Sequence, residues 1–196
     1  MMPPCPTASR PQRRVERLWL LLIACLAVCL AQAEPPVDYT IQRSYYDPAQ
    51  TILKSEIGFA DGVAHGPLKL YYDNGQLQTA ATMVRGVLQG EMKQYDTDGH
   101  LIRIASFVDG ELNGEDRRYF ATGKIARVTP MKAGRKHGVE IVYTRTGQKV
   151  WERPYDQGKL HGIVRAWDEA GTLLSEETYD HADDIYGDAS ARPTTP

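Results

Sequence analysis

Between residues 59 and 181 the large apolar side chains return to the same places every 24 residues. One column reads Tyr71, Tyr95, Tyr119, Tyr143 and Trp167; a second reads Phe59, Met83, Phe107, Met131, Tyr155 and Tyr179. A third, Leu77, Leu101, Ile125 and Leu173, is broken only by Lys149. Glycine keeps the same step, at 62, 86, 110, 134 and 158, at 66, 90, 114, 138 and 162, and at Gly75, Gly99, Gly123, Gly147 and Gly171. Glycine fills about 7% of positions in an average chain, so fifteen arbitrary positions would hold about one. A period this strict specifies a repeat architecture.

Within a unit the glycines separate two short runs. The first, such as Pro67 to Tyr72, ends in a turn signal: Asp73-Asn74-Gly75, Thr97-Asp98-Gly99, Ala121-Thr122-Gly123, Arg145-Thr146-Gly147 or Glu169-Ala170-Gly171. Glycine there supplies the left-handed residue of a three-residue hairpin loop with a bulge. The second run, such as Gln76 to Val84, is β-branched and apolar, and it ends at a GxxxG segment that leads into the next unit. Each unit is therefore two antiparallel strands, and the class is all-β. Helix is excluded because glycine or proline interrupts every stretch within about a dozen residues. In such a hairpin Tyr71 faces Leu77, and Leu77 shares strand parity with Met83. This parity predicts that all three columns lie on one face and form the core. A lone hairpin cannot stand, so neighbouring units must stack.

The flanks do not follow the period. Counting back from Gly62, residues 44–61 form an irregular N-terminal capping hairpin. Its turn is two residues longer, with Asp47-Pro48 in place of Asn74-Gly75. Residues 34–43 are expected to be a disordered leader, 62–181 five 24-residue hairpin repeats, and 182–196 a disordered tail. Glu176, Glu177, Asp180, Asp183 and Asp184 charge the last edge against pairing with another chain.

Arg10, Arg13, Arg14 and Arg17 precede an apolar run from Leu18 to Leu30 that closes on Ala31-Gln32-Ala33. This order is that of a signal peptide over residues 1–33, with cleavage after Ala33 and Ala31 at the other small position. Leu22-Ile23-Ala24-Cys25 offers lipidation of Cys25 as the alternative. Glu16 argues for the general secretion route over the twin-arginine one. The chain is thus expected to be exported to the periplasm or cell envelope.

Cys5, Cys25 and Cys29 all lie in that leader, so the repeats carry neither disulfide nor thiolate metal site. Losing residues 1–33 removes four basic residues and one acidic one, leaving 19 against 24 and a net charge of −5. That mild acidity gives no footprint for nucleic acid and no polybasic patch for anionic lipid.

GxxxG, a strand with Tyr, x-x-G and an apolar strand, as in GPLKLYYDNG and GEMKQYDTDG, resemble the MORN (membrane occupation and recognition nexus) repeat. The closest likeness is to the variant form of bacterial envelope proteins and YwqK-type antitoxins. It spans about residues 44 to 181. The resemblance implies an elongated single-layer sheet of stacked hairpins acting as a binding scaffold for protein or lipid, with toxin neutralisation as the antitoxin label's implication. The fourth unit departs from the pattern at Lys149, Trp151 and Pro154.

No catalytic constellation is visible: there is no GxSxG, no HExxH and no phosphate loop, so no enzyme and no cofactor are expected. His65, His137 and His161 share a column with Gln89 and Asn113. Members of one column stand roughly 10 Å apart, too far to share one zinc, so the column is expected to bond to backbone and no metal site is expected. The aromatic column has two readings. As core it needs no partner; on an open face Tyr71, Tyr95, Tyr119 and Tyr143 would stack on wall glycan or meet membrane lipid. Trp151 and Trp167 are the candidate anchors for the partner, expected first to be a protein.

Overall fold

The computed structural model describes residues 37–184. The segment expected to be a signal peptide, with Cys25, Ala31 and Ala33, and the tail beyond residue 184, lie outside the described residues. The strands are β1 Thr40–Tyr45, β2 Leu53–Ala60, β3 Val63–Tyr71, β4 Leu77–Val84, β5 Val87–Leu88, β6 Gly90–Tyr95 and β7 Leu101–Val108. They continue as β8 Glu111–Tyr119, β9 Ile125–Lys132, β10 Arg135–Lys136, β11 Gly138–Tyr143, β12 Lys149–Asp156, β13 Lys159–Trp167 and β14 Leu173–Ala182. All belong to one antiparallel sheet in which each strand pairs with its neighbours in the chain; the short β5 and β10 pair with β4 and β9.

Two kinds of turn alternate. At Tyr72–Gln76 the Tyr72 amide donates to the Gln76 carbonyl at 2.9 Å and the Gly75 amide to the Tyr72 carbonyl at 3.0 Å, with Gly75 at φ 83°. This is the predicted three-residue loop, and the same two bonds recur at residues 96–100, 120–124, 144–148 and 168–172. The GxxxG segments begin with a different turn: Asp61-Gly62, Arg85-Gly86, Asp109-Gly110, Ala133-Gly134 and Gln157-Gly158 all have positive φ at both residues. Two left-handed residues in a row make the turn whose twist matches a β-hairpin. Consecutive units are tied there, since the Gly86, Gly110, Gly134 and Gly158 amides donate to the carbonyls of Ala64, Leu88, Leu112 and Lys136 at 2.8–2.9 Å.

Gly123 isolates the conformational requirement from packing. It sits at φ 80°, and a Cβ there would meet nothing within 4 Å. Gly123→Val therefore costs about 2 kcal/mol or more from backbone strain alone, because the left-handed region costs an L-residue roughly 1–2 kcal/mol and a β-branched one more. Thr122→Val, one residue earlier, leaves the turn intact. Equal melting temperatures for the two variants would refute the turn assignment.

Two boundaries move. The first strand starts at Thr40, inside the segment expected to be a disordered leader, because β2 has a full-length free edge: Thr40 pairs with Phe59, Gln42 with Ile57 and Arg43 with Glu56. At the other end β14 runs to Ala182, and Asp184 accepts from Lys136 and Tyr155 at 2.8 and 3.0 Å. The capping turn is as expected. Tyr46 donates to the Ile52 carbonyl across a loop two residues longer than the others, and the Asp47 carboxylate accepts from the Thr51 and Ile52 amides. The fourth unit is regular. Trp151 pairs with Ala166 and Glu152 with Arg165, in the same register as Arg103 with Arg118 and Ile104 with Arg117 two units earlier.

The single-face core is corrected by one residue. Leu70 pairs with Thr79 but Tyr71 with Leu77, so Gln78 is an extra residue in β4, and the same step recurs at Tyr95/Leu101, Tyr119/Ile125, Tyr143/Lys149 and Trp167/Leu173. A bulge of this kind reverses side-chain parity. Leu77 consequently follows Tyr71 onto the face opposite Met83. The hydrophobic core lies on the Met83 face and is concentrated in the last two units, as Val142, Trp151, Tyr155, Leu160, Val164 and Ala166. Trp151 is 6% exposed and Leu160 fully buried.

Candidate functional site

The face opposite the core carries the Tyr71 column. Its side chains can be placed by their partners. Tyr71 Oη donates to Glu56 Oε2 at 2.9 Å, and Glu56 is the cross-strand partner of both Arg43 and Lys69. Four units on, Lys149 Nζ lies 4.2 Å from the centre of the Trp167 ring and 2.5 Å from Glu152, itself the partner of Arg165. Burial and the Glu56 bond push the Tyr71 phenol up, and the Tyr71 hydroxyl, with Arg43, holds Glu56 below the ordinary carboxylate range.

Tyr71, Tyr95, Tyr119, Tyr143 and Trp167 are all half-buried on this face. Beside them Leu77 and Leu101 are half-buried, while Ile125 is 38% and Leu173 49% exposed. Ile102, Val139, Ile163 and Leu174 extend the exposed apolar surface through the last four units. The next column, Lys69, Lys93, Arg117 and Arg165, is basic, but each cation faces a carboxylate: Glu56 at 3.9 Å, Glu91 at 3.0 Å, Glu115, and Glu176 at 2.7 Å. The band is thus aromatic and aliphatic at its centre and bordered by paired charges.

The two tryptophans separate. Trp167 stands in this band. Trp151 does not; it packs in the core between Val142 and Ala166, its cross-strand partners, with the Arg153 guanidinium 4.5 Å over its ring. Its expected role as a docking anchor is therefore corrected: the bulge that puts residue 167 on one face leaves residue 151, inside the regular part of β12, on the other.

The core face holds a feature that the column analysis missed. Arg103 makes a two-pronged contact with Asp116 at 2.8 and 2.7 Å. In the fourth unit Glu140 is 0% and Arg153 1% exposed, with Glu140 carboxylate oxygens 3.1 Å from Lys136 Nζ and 3.7 Å from Arg153 Nη1. Lys136 also lies 4.5 Å over the Tyr155 ring, whose phenol is pushed well up, first by burial and then by the Glu140 and Asp184 carboxylates. The signal was in the sequence. Lys136 stands where Leu88, Leu112 and Leu160 recur, Glu140 where Leu68, Met92 and Val164 do, and Arg153 where Ala81 and Ala105 do.

The histidine column behaves only partly as expected. Gln89 does bond backbone, accepting from the Asp109 amide at 2.9 Å. His137 and His161 instead reach carboxylates, Asp156 at 3.1 Å and Asp180 at 3.3 Å.

The family model of the MORN repeat variant matches residues 64–84, 88–109 and 160–181. No curated protein matches the chain. The matched stretches bracket residues 110–159, which carry Asp116, Arg127, Glu140 and Arg153 on the core face, yet the sheet runs through them unchanged. Three stretches of the chain thus match the MORN repeat variant, and such repeats are generally non-catalytic binding or scaffold modules.

Proposed function

We propose that this MORN-repeat chain is an exported scaffold of the cell envelope that binds a protein partner across its aromatic face. The observation that carries the reading is the continuous band from Tyr71 to Trp167 on the face away from the core, with exposed Ile125 and Leu173 alongside. Aromatic side chains supply large contact area at small entropic cost and recur at the energetic centres of protein interfaces. The Arg- and Ala-containing leader supports export. Toxin neutralisation is one form this reading could take, with the toxin as the partner.

The test is capture of envelope extract from the source cell by the immobilised chain, with bound material identified by mass spectrometry. One protein is retained in stoichiometric amount and lost when Tyr119 and Trp167 are both changed to alanine, while His100→Asn, on a distant turn, retains it. Retention of purified wall glycan or liposomes without any protein would sink the reading in favour of glycan or lipid recognition by the same face.

A further inference from the structure

At one end of the sheet, side chains from three strands meet in a way the 24-residue column does not foretell. His161 on β13 does not approach other members of its own column; it approaches Asp180 and His181 at the end of β14. His161 Nδ1 lies 3.3 Å and His181 Nδ1 2.8 Å from the same oxygen, Asp180 Oδ1. One ligand atom from each of the three residues falls within 4.8 Å of the others, and the two imidazole rings are 4.2 Å apart. His181 occupies the left-handed turn position that Gln157 and Ala133 hold in earlier units, at φ 50°.

From this convergence we propose that His161, Asp180 and His181 form a binding site for a divalent cation of the zinc class, with a fourth position open to solvent. Two arguments support it. Zinc bonded at about 2.0–2.1 Å to nitrogen and oxygen in tetrahedral geometry needs its ligand atoms about 3.3 Å apart, and the observed separations require only small side-chain adjustment to reach it. The second argument is the shell behind the ligands. His181 directs its other nitrogen, Nε2, at Asp156 Oδ2, 3.3 Å away, and the second Asp156 oxygen is 3.1 Å from His137 Nδ1. A carboxylate on the far nitrogen of a ligating histidine fixes its tautomer and raises its basicity.

The other cluster of similar composition, Asp96, Asp98 and His100, differs: Asp96 Oδ1 is committed to the Asp98 and His100 amides at 3.0 and 2.8 Å, as in an ordinary turn.

The experiment is calorimetric titration of the full chain, carrying no polyhistidine tag, with zinc chloride in a non-chelating buffer. One zinc per chain is expected to bind saturably in the micromolar range. His161→Asn and Asp180→Asn abolish the binding, Asp156→Asn weakens it tenfold or more as loss of an outer-shell partner does, and His65→Asn and His100→Asn leave it unchanged. The wild-type chain gives a reading that needs no variant: zinc shifts the imidazole proton resonances of His161 and His181 and not those of His100. Absence of saturable binding, binding that survives His161→Asn, or zinc-induced shifts at His100 in place of His161 would overturn the proposal.

Discussion

Trp151→Ala lowers the free energy of unfolding by about 3–5 kcal/mol, the usual range for removing a large aromatic side chain from a packed interior. The residue is 6% exposed, its cross-strand neighbours are Val142 and Ala166, and it belongs to the cluster with Tyr155, Leu160 and Val164. Alanine there withdraws the indole from all of them, and strands hydrogen-bonded on both sides cannot close over the space. Trp167→Ala, one pleat and one bulge away, costs no more than about 1 kcal/mol, chiefly the cation–π contact with Lys149 at 4.2 Å and a part of its apolar contact. Urea denaturation of the two variants measures the contrast. Equal losses would mean that the two faces are packed alike and that the bulge does not divide the aromatic columns.

That division marks where the sequence stopped being legible. Turns are local, so Gly75 and its equivalents announced their left-handed residues, and with them the hairpins, the unit length and the stacking. Which face a column occupies depends on the count of residues between two paired positions, and one extra residue at Gln78 inverts it. Parity from Leu77 to Met83 is sound along an unbroken strand; it fails because the bulge sits between the turn and the regular part of β4. Thr40 was missed for a related reason. No glycine precedes it to mark a unit, and its strand exists because Phe59, Ile57 and Glu56 offer an unpaired edge. The zinc-class site was invisible to column logic because His161 meets residues of the following strand outside its own column, and the equivalents of His181 in earlier units, Gln157 and Ala133, are not histidine.

Loss of one member of the buried ion group is the second large effect. Glu140→Ala destabilises by about 3–5 kcal/mol, because removing one partner of a buried pair leaves the other charge in a dry interior. Glu140 is fully buried and Arg153 nearly so, with Lys136 3.1 Å away on the other side of the carboxylate. The double change Glu140→Leu with Arg153→Met restores stability to within about 1 kcal/mol of the parent or beyond it, since apolar groups of similar volume need not overcome the desolvation that a buried pair does. Methionine would also keep a contact with the Trp151 ring that Arg153 now covers at 4.5 Å. The leucine at 140 would return that column to the pattern of Leu68, Met92 and Val164. Additive losses in the two single variants and the double one, measured by urea denaturation at neutral pH, would show instead that Glu140 and Arg153 act independently. Coupled losses would explain how residues 110–159 keep the register of their neighbours while abandoning the apolar columns: the hairpins are set by their turns, and the core face accepts either hydrocarbon or matched charge.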